Sequence, residues 1–351
     1  MPKNIKKIKK RVTLAQIASA VGVHVTTVSQ VLTKRKNCWV SPETRKKIEE
    51  VAQKLEYRPN LVARGLRSGR SLVIGYISPG FGITSPHTRI SGLTYAAAEK
   101  GYTVIVSSHP NDSESEDVLI KRLLDSGVDG IVVYPVDKGF HYELRKIVDS
   151  DFPVITFDGQ VILDFETNDI SPDYEEVGRL QVLHVFSLGK RKICIANTFP
   201  QAVINAVREK AIKKILRKEG LPPPLEMALP IDVTREFQNE EMLERHIRNF
   251  VVENAGKFDA VIGYDTLASL VVRVLLGEGL RVPEDVVVVG AGNTLLATHG
   301  IIPITSVSTS DDVAGMKAFD LLFQWINGEK PAKKKQIISK SILIPRKSSV
   351  G

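Results

Sequence analysis

Long apolar runs are missing from this 351-residue chain. None reaches the roughly 18–20 residues that a bilayer span needs, so no membrane partner is expected. Cysteine is scarce: Cys38 and Cys194 are the only two. They could pair, but their distant contexts and the lack of an apolar signal core near the N-terminus favour reduced thiols and a cytoplasmic protein. Catalytic signatures are absent too. There is no Gly-x-Ser-x-Gly or P-loop pattern, and the seven histidines show no paired metal-ligand spacing. Neither a metal nor a cofactor is expected, nor an enzyme. His184, alone on an apolar helical stretch, reads as a core residue.

Acids are almost missing from the first 70 residues. That segment holds 17 Lys/Arg against Glu43, Glu49, Glu50 and Glu56, a net of +13; the whole chain carries +8, which leaves −5 for residues 71–351. A basic head on a mildly acidic body suits a polyanion-binding module joined to a separate domain.

What that head contains is a pair of short helical patterns joined through Gly22. Leu14, Ile17, Ala18 and Val21 fall at i, i+3, i+4 and i+7, one apolar helical face. Thr13 and Gln16 form a T-x-x-Q capping box at its start, and Gly22 tolerates the positive φ of a tight turn. Val28, Val31 and Leu32 give a second apolar stripe, leaving Val25, Thr26, Ser29 and Gln30 to face outward. Those short side chains suit base edges in a major groove, as in a helix-turn-helix. A third helix is expected from the cap Ser41-Pro42, with Ile48, Val51, Ala52 and Leu55 closing a small core and Arg58-Pro59 ending it. Residues 1–11 read as a basic arm. Residues 59–70 read as a linker with a short helix that orders only when something binds it, since Gly65 weakens it further.

From Leu72 the texture changes. Short β-branched runs recur at 72–77, 103–106, 130–133, 154–157, 192–196, 260–262, 286–289 and 305–307, with helical stretches between most of them. Near-continuous apolar strands alternating with helices imply parallel sheets covered on both faces. The fold class expected is thus an all-α helix-turn-helix head with an α/β two-lobed body. The lobes are expected at about 71–160 with 293–322, and about 161–292 with 323–351. Residues 337–345 read as one terminal strand. Gly290-x-Gly292 after an apolar run resembles the opening of a dinucleotide fingerprint, with Asp311 about 20 residues on. The third glycine position is Leu295, however, and Gly300 and Pro303 leave too little helix for a crossover.

Val12–Leu32, Val40-Ser-Pro-Glu-Thr-Arg45, Leu55-Glu-Tyr-Arg-Pro-Asn60 and Ala63-Arg-Gly-Leu-Arg-Ser-Gly69 together resemble the LacI/GalR family of transcription regulators. The match continues through Gly127–Ile131, Val154–Asp158, Ser187–Lys190 and Gly279–Gly290, and covers nearly the whole chain after the basic arm. The resemblance implies a homodimer bound to double-stranded operator DNA, most simply as a repressor, with a periplasmic-binding-protein-like body that answers to a carbohydrate-like effector.

The resemblance also implies roles. Val25, Thr26 and Gln30 match base-contacting positions, where Gln30 can bond an adenine edge and Val25 can lie against a thymine methyl. Thr13, Thr27 and Ser29 suit phosphate. Leu66 matches a hinge leucine that enters the minor groove, flanked by Asn60, Arg64 and Arg67. Asp158, Arg208 and Asp265 match positions lining the cleft between lobes, where they could bond a polyhydroxylated ligand. Two departures stand out. The loop Thr33–Trp39 is about two residues longer than is usual for the family. Where the family reads Gly-aromatic-Asp after the strand at 286–289, this chain has Gly290-Ala-Gly-Asn293, without the acid that commonly contacts effector. A regulator whose body only dimerises is the alternative. No leucine heptad follows the body, so dimers rather than tetramers are expected.

Overall fold

The computed structural model describes residues 12–33, 38–57, 69–80, 86–198, 202–230, 240–331 and 336–350. Asn60, Arg64, Leu66 and Arg67 lie outside them, as do Lys34–Asn37 of the lengthened loop. The chain divides into two compact units, parting between Ser71 and Leu72.

Among its described residues the first unit has three helices: α1 (Leu14–Val21), α2 (Val25–Leu32) and α3 (Pro42–Lys54). The expected caps form. Thr13 and Gln16 complete a capping box on α1, and Ser41 caps α3 with Pro42 in its first turn. Gly22 takes φ 79°, and the N–H groups of Gly22 and Val23 both close on the Ala18 carbonyl, ending α1 so that α2 can start three residues on. Ile17, Ala18, Val28, Val31, Ile48 and Ala52 form the buried centre.

The second unit has two lobes, and the chain passes between them three times. It lays down β1 (Val73–Pro79), α4 (Pro86–Glu99), β2 (Thr103–His109), α5 (Ser113–Asp125), β3 (Gly130–Val133), α6 (Tyr142–Asp149), β4 (Val154–Phe157), α7 (Gly159–Ile162) and β5 (Asp169–Pro172) in the first lobe. It crosses into the second lobe for α8 (Tyr174–Ser187), β6 (Ile193–Thr198), α9 (Val203–Lys218), β7 (Leu225–Leu229), α10 (Glu240–Glu253) and β8 (Ala260–Ile262). The same lobe continues with α11 (Asp265–Gly277), β9 (Val287–Ala291), α12 (Leu295–His299) and β10 (Thr305–Ser308). It then returns for α13 (Asp311–Ile326) and β11 (Gln336–Ser339), and crosses a last time for β12 (Ile342–Ile344).

Strand order is β11-β5-β4-β3-β1-β2 in one sheet and β12-β10-β9-β8-β6-β7 in the other; pairing is parallel throughout except for β10 with β12. Parallel strands buried on both faces send alternate residues into two cores. In β6, Cys194 and Ala196 join one core of the second lobe while Ile193 and Ile195 join the other.

Four expectations need correction. Strand β5 pairs with β4, so the first crossing falls at Asp173 rather than near residue 160. Thr305–Ser308 pairs with β9, so the second crossing falls at Thr309–Ser310 rather than near residue 293. Helix α13 packs on the first lobe along its whole length, so no division occurs at 322/323. The expected terminal strand is two strands in different sheets, because the chain crosses at Lys340, whose carbonyl accepts from Ser310 Oγ at 3.1 Å. Strands β5 and β7 were not expected at all. In β5 the one aliphatic residue sits among Asp169, Ser171 and Pro172, whose burial only partner strands provide, and in β7 exposed Glu226 and Ala228 alternate with buried Met227 and Leu229.

Candidate functional site

Each unit presents a candidate site. On α2, Thr26 is exposed and Val25, Thr27 and Gln30 are partly so, while Thr13 is exposed at the start of α1. Ser29 is not: it is only 8% exposed. Ser29 sits beside the core residues Val28 and Val31 and one turn from the partly buried Leu32, so it falls on the packed side of the helix and not with Thr26 and Gln30. The start of α2 is held by His24, whose Nδ1 accepts from the Thr26 N–H at 3.4 Å and lies 2.8 Å from Thr26 Oγ1. Trp39 stands 98% exposed after the lengthened loop.

In the second unit a cavity opens where the crossings meet, with about 1070 Å3 of free space counted out to its solvent-open mouth. Its floor on the first lobe is organised by Arg89, which is buried. Helices α4 and α13 cross backbone to backbone there: a Cβ on Gly92 would stand 2.0 Å from the Asp312 carbonyl oxygen, and one on Gly315 would stand 1.9 Å from that of Arg89. The approach places Arg89 between two carboxylates. Its Nη1 donates to Asp158 Oδ2 and its Nε to Asp311 Oδ1, both at 2.7 Å, and Nη2 lies 3.4 Å from the Tyr174 hydroxyl. The guanidinium also lies over the rings of Phe157 and Tyr134. Arg89 thereby joins the end of β4 to the start of α8 and the start of α13, two of the three passages between lobes. Burial pushes the Asp158 carboxyl up to about 6 against the opposing pull of Arg89. Its Oδ1 is buried and without a hydrogen-bond partner among the described residues.

The second lobe contributes Asn205, Tyr264, Asp265 and Thr294 to the lining. Among the described residues Asn205 Oδ1, Tyr264 OH and Thr294 Oγ1 are likewise buried without partners. Asp265 lines the cavity, but both its oxygens are engaged: Oδ1 accepts from Ser306 Oγ at 2.6 Å and Oδ2 from the Thr294 N–H at 2.7 Å. Burial raises its carboxyl to about 6, with those bonds opposing.

Arg208 departs from expectation. It is fully buried and not among the lining residues; its guanidinium lies 4.5 Å from the centroid of the Tyr264 ring, and Nη2 donates to Asn197 Oδ1 at 2.7 Å. Nε and Nη1 have no partner among the described residues, and burial holds its pKa below the usual arginine value.

Gly292, with φ 112°, stands at the position of the missing family acid, and next to it Asn293 Oδ1 accepts from Arg346 Nη2 at 2.5 Å. Gly290 belongs to no phosphate loop, because the space beside it holds the Asp265 carboxylate and α12 has only five residues. His184 is also no core residue: it is half-buried, with Nε2 2.7 Å from Ser349 Oγ. Burial pushes the Cys194 thiol up to about 12. Among the described residues no group of three metal-ligating side chains comes together, and no helix is long and apolar enough to cross a membrane.

Arg89, Tyr174, Asn205, Tyr264 and Thr294 were not anticipated from the sequence. Gly92 and Gly315, mid-helix where glycine costs stability, are the one signal that marks the α4–α13 crossing.

A basic three-helix head that turns its second helix outward, joined to a two-lobed body with a cavity between parallel sheets, is the construction of DNA-binding transcription regulators with a sugar-binding-type body. Residues 13–60 match the bacterial regulatory proteins of the lacI family, and residues 182–349 match the periplasmic binding protein-like domain. The lactose operon repressor of Escherichia coli (strain K12) is 26% identical over 344 residues, covering 97% of this chain and 92% of its own. Catabolite control protein A of Priestia megaterium is 29% identical over 330 residues, covering 91% of this chain and 93% of its own. Among solved structures, the Lac repressor bound to ONPG in the repressed state matches with a TM-score of 0.81 at 26% identity, over 97% of this chain and 100% of that one. The Lac repressor dimer bound to operator and the anti-inducer ONPF matches with a TM-score of 0.80 at 25% identity, with the same coverage. Residues 13–60 thus form a lacI-family DNA-binding domain, and along nearly its whole length the chain is similar to LacI-family transcription regulators.

Proposed function

We propose that the protein is a cytoplasmic, homodimeric repressor that reads a palindromic operator and is controlled by a small sugar-like ligand in the interlobe cavity. The observation that carries the DNA half is the outward face of α2, with Thr26 exposed and Val25 and Gln30 partly so, in a segment of net charge +13. In this reading α2 enters the major groove, where Gln30 bonds an adenine edge and Val25 meets a thymine methyl. Thr13 and Thr27 meet phosphate, while Ser29, on the packed stripe, acts by seating the helix. Leu66 wedges the minor groove between Asn60, Arg64 and Arg67. Selection of bound sites from a random DNA pool at physiological salt is expected to return a palindromic consensus. No preference over scrambled competitor would overturn the reading.

The ligand half is supported by four buried polar atoms on the cavity wall that lack partners among the described residues: Asp158 Oδ1, Asn205 Oδ1, Tyr264 OH and Thr294 Oγ1. Unsatisfied buried polar groups are costly, and a hydroxylated ligand would satisfy them. Asp158 is then a contact, whereas Asp265 and Arg208 hold the wall in place behind Thr294 and Tyr264. Such a ligand acts on DNA binding only through different affinities for two lobe orientations. A thermal-shift screen of sugars separates this from a body that only dimerises, since the latter predicts no ligand that raises the melting temperature.

A further inference from the structure

The chemistry of the ligand follows from the charge of the cavity wall, and it rests on the reading of that cavity as a ligand site. Of the described Asp, Glu, Lys and Arg side chains on the wall, four are acids and one is basic: Asp137, Asp158, Asp265 and Asp311 against Arg89. Arg89 offers no spare charge, because Asp158 and Asp311 share its guanidinium at 2.7 Å each. Arg208 lies against the Tyr264 ring, off the wall, and is joined through Asn197 to Glu209. Lys138 and Arg346 act on Asp137 and Asp265 from outside the wall. The wall is left with excess negative charge held partly away from water, which is costly unless a cation pairs with it.

Two further observations agree. Both unpartnered atoms that are not hydroxyls, Asp158 Oδ1 and Asn205 Oδ1, are acceptors and call for a donor. Tyrosines 76, 134, 174 and 264 also line the cavity, and tyrosine rings attract cations through their electron-rich faces. A phosphorylated or carboxylated ligand would meet carboxylates. A neutral sugar would supply hydroxyls but leave the charge uncompensated.

We propose that this cavity takes a polyhydroxylated amine, such as an amino sugar in its ammonium form, with the ammonium donating to Asp158 Oδ1 and the hydroxyls meeting Asn205, Tyr264 and Thr294. An ammonium carries donors and no acceptor, so it matches Asp158 Oδ1 and compensates the wall at once.

The test is calorimetric titration of the full-length protein at pH 7.5 with glucosamine, galactosamine and mannosamine, each against its parent sugar glucose, galactose or mannose. Each pair differs by one ammonium in place of one hydroxyl. At least one amino sugar is expected to bind about tenfold or more tightly than its parent, the scale of a charge-assisted hydrogen bond. Asp158→Asn is expected to shrink that ratio toward one. Should this variant fail to fold, the paired titrations of the natural chain still decide the matter. Parent sugars that bind as well as the amines overturn the ligand class and leave a sugar-responsive regulator standing. Binding by none of the six overturns the ligand class together with the sugar-like ligand of the proposed function.

Discussion

A β-carbon on Gly290 would stand 2.1 Å from Oδ1 of Asp265. The glycine at the end of β9 is there so that a carboxylate from the first turn of α11 can reach Ser306 and the Thr294 N–H. The same three atoms explain why a Gly-x-Gly after an apolar strand need not mark a phosphate site. Gly290→Ala is expected to destabilise the body by about 1–3 kcal/mol through overpacking. Combined with Asp265→Ala it should add little to the cost of Asp265→Ala alone, since the clash is then gone. Urea unfolding of the two single variants and the double variant measures this, and simple additivity would disprove it.

The crossing of α4 and α13 gives a second expectation. Gly315→Ala puts a methyl where the Arg89 carbonyl oxygen now lies, a backbone neighbour that cannot swing aside. The helices must part, and Arg89 loses its geometry with Asp311. A fall in stability of about 1–3 kcal/mol is expected. Weakened response to any ligand of the cavity is expected with it, read as a smaller thermal shift at saturation than in the natural chain.

Asp158 and Asp265 give the body a pH signature. Burial lifts each carboxyl from the ordinary aspartate value of 3.8 to about 6. Between those values the folded protein holds protons that the unfolded chain has released, so stability contributed by these groups is present near pH 4 and lost as pH rises through 6. The loss is on the order of 1–3 kcal/mol per group. Asp158→Asn should flatten the decline in urea midpoint from pH 4.5 to pH 7; an unchanged decline would show that Asp158 titrates normally.

DNA binding is expected to separate positioning from reading. Gln30→Ala should relax the preference for one base pair by about 1–3 kcal/mol and leave random DNA bound as before. Leu66→Ala should weaken operator binding by a few kcal/mol with nonspecific binding largely intact. Fluorescence anisotropy on operator and random duplexes measures both, and equal losses on the two duplexes would contradict a wedge.

Ser29 should behave as a core position. Ser29→Gln is expected to destabilise the three-helix unit by about 1–3 kcal/mol, visible as an earlier loss of helical circular dichroism on heating. Thr27→Gln, at a partly exposed neighbour, should leave that transition nearly unmoved.

The reach of the sequence was uneven, for local reasons. The capping box at Thr13, the turn at Gly22 and the stop and start around Ser41-Pro42 are interactions within four residues, so each was legible from spacing alone. Ser29 is not legible as buried because Val28, Val31 and Leu32 alone mark an apolar stripe, whereas three helices packed around so small a core bury a wider one. Asp158 and Asp265 were placed at the cavity through family resemblance. Arg89 could not be, because its partners are 69 and 222 residues away.

The order of letters settled the local units of this protein: which segments coil, which extend, where each helix starts, and that positive charge gathers at one end. Folding settled the three passages between lobes, the commitment of Arg89 to two acids, and which polar atoms were left facing the cavity unpaired. The division has a physical cause. Caps, turns and periodicity are energies between near neighbours along the chain, while strand order and buried charge pairing are energies between residues that only a complete sheet brings together.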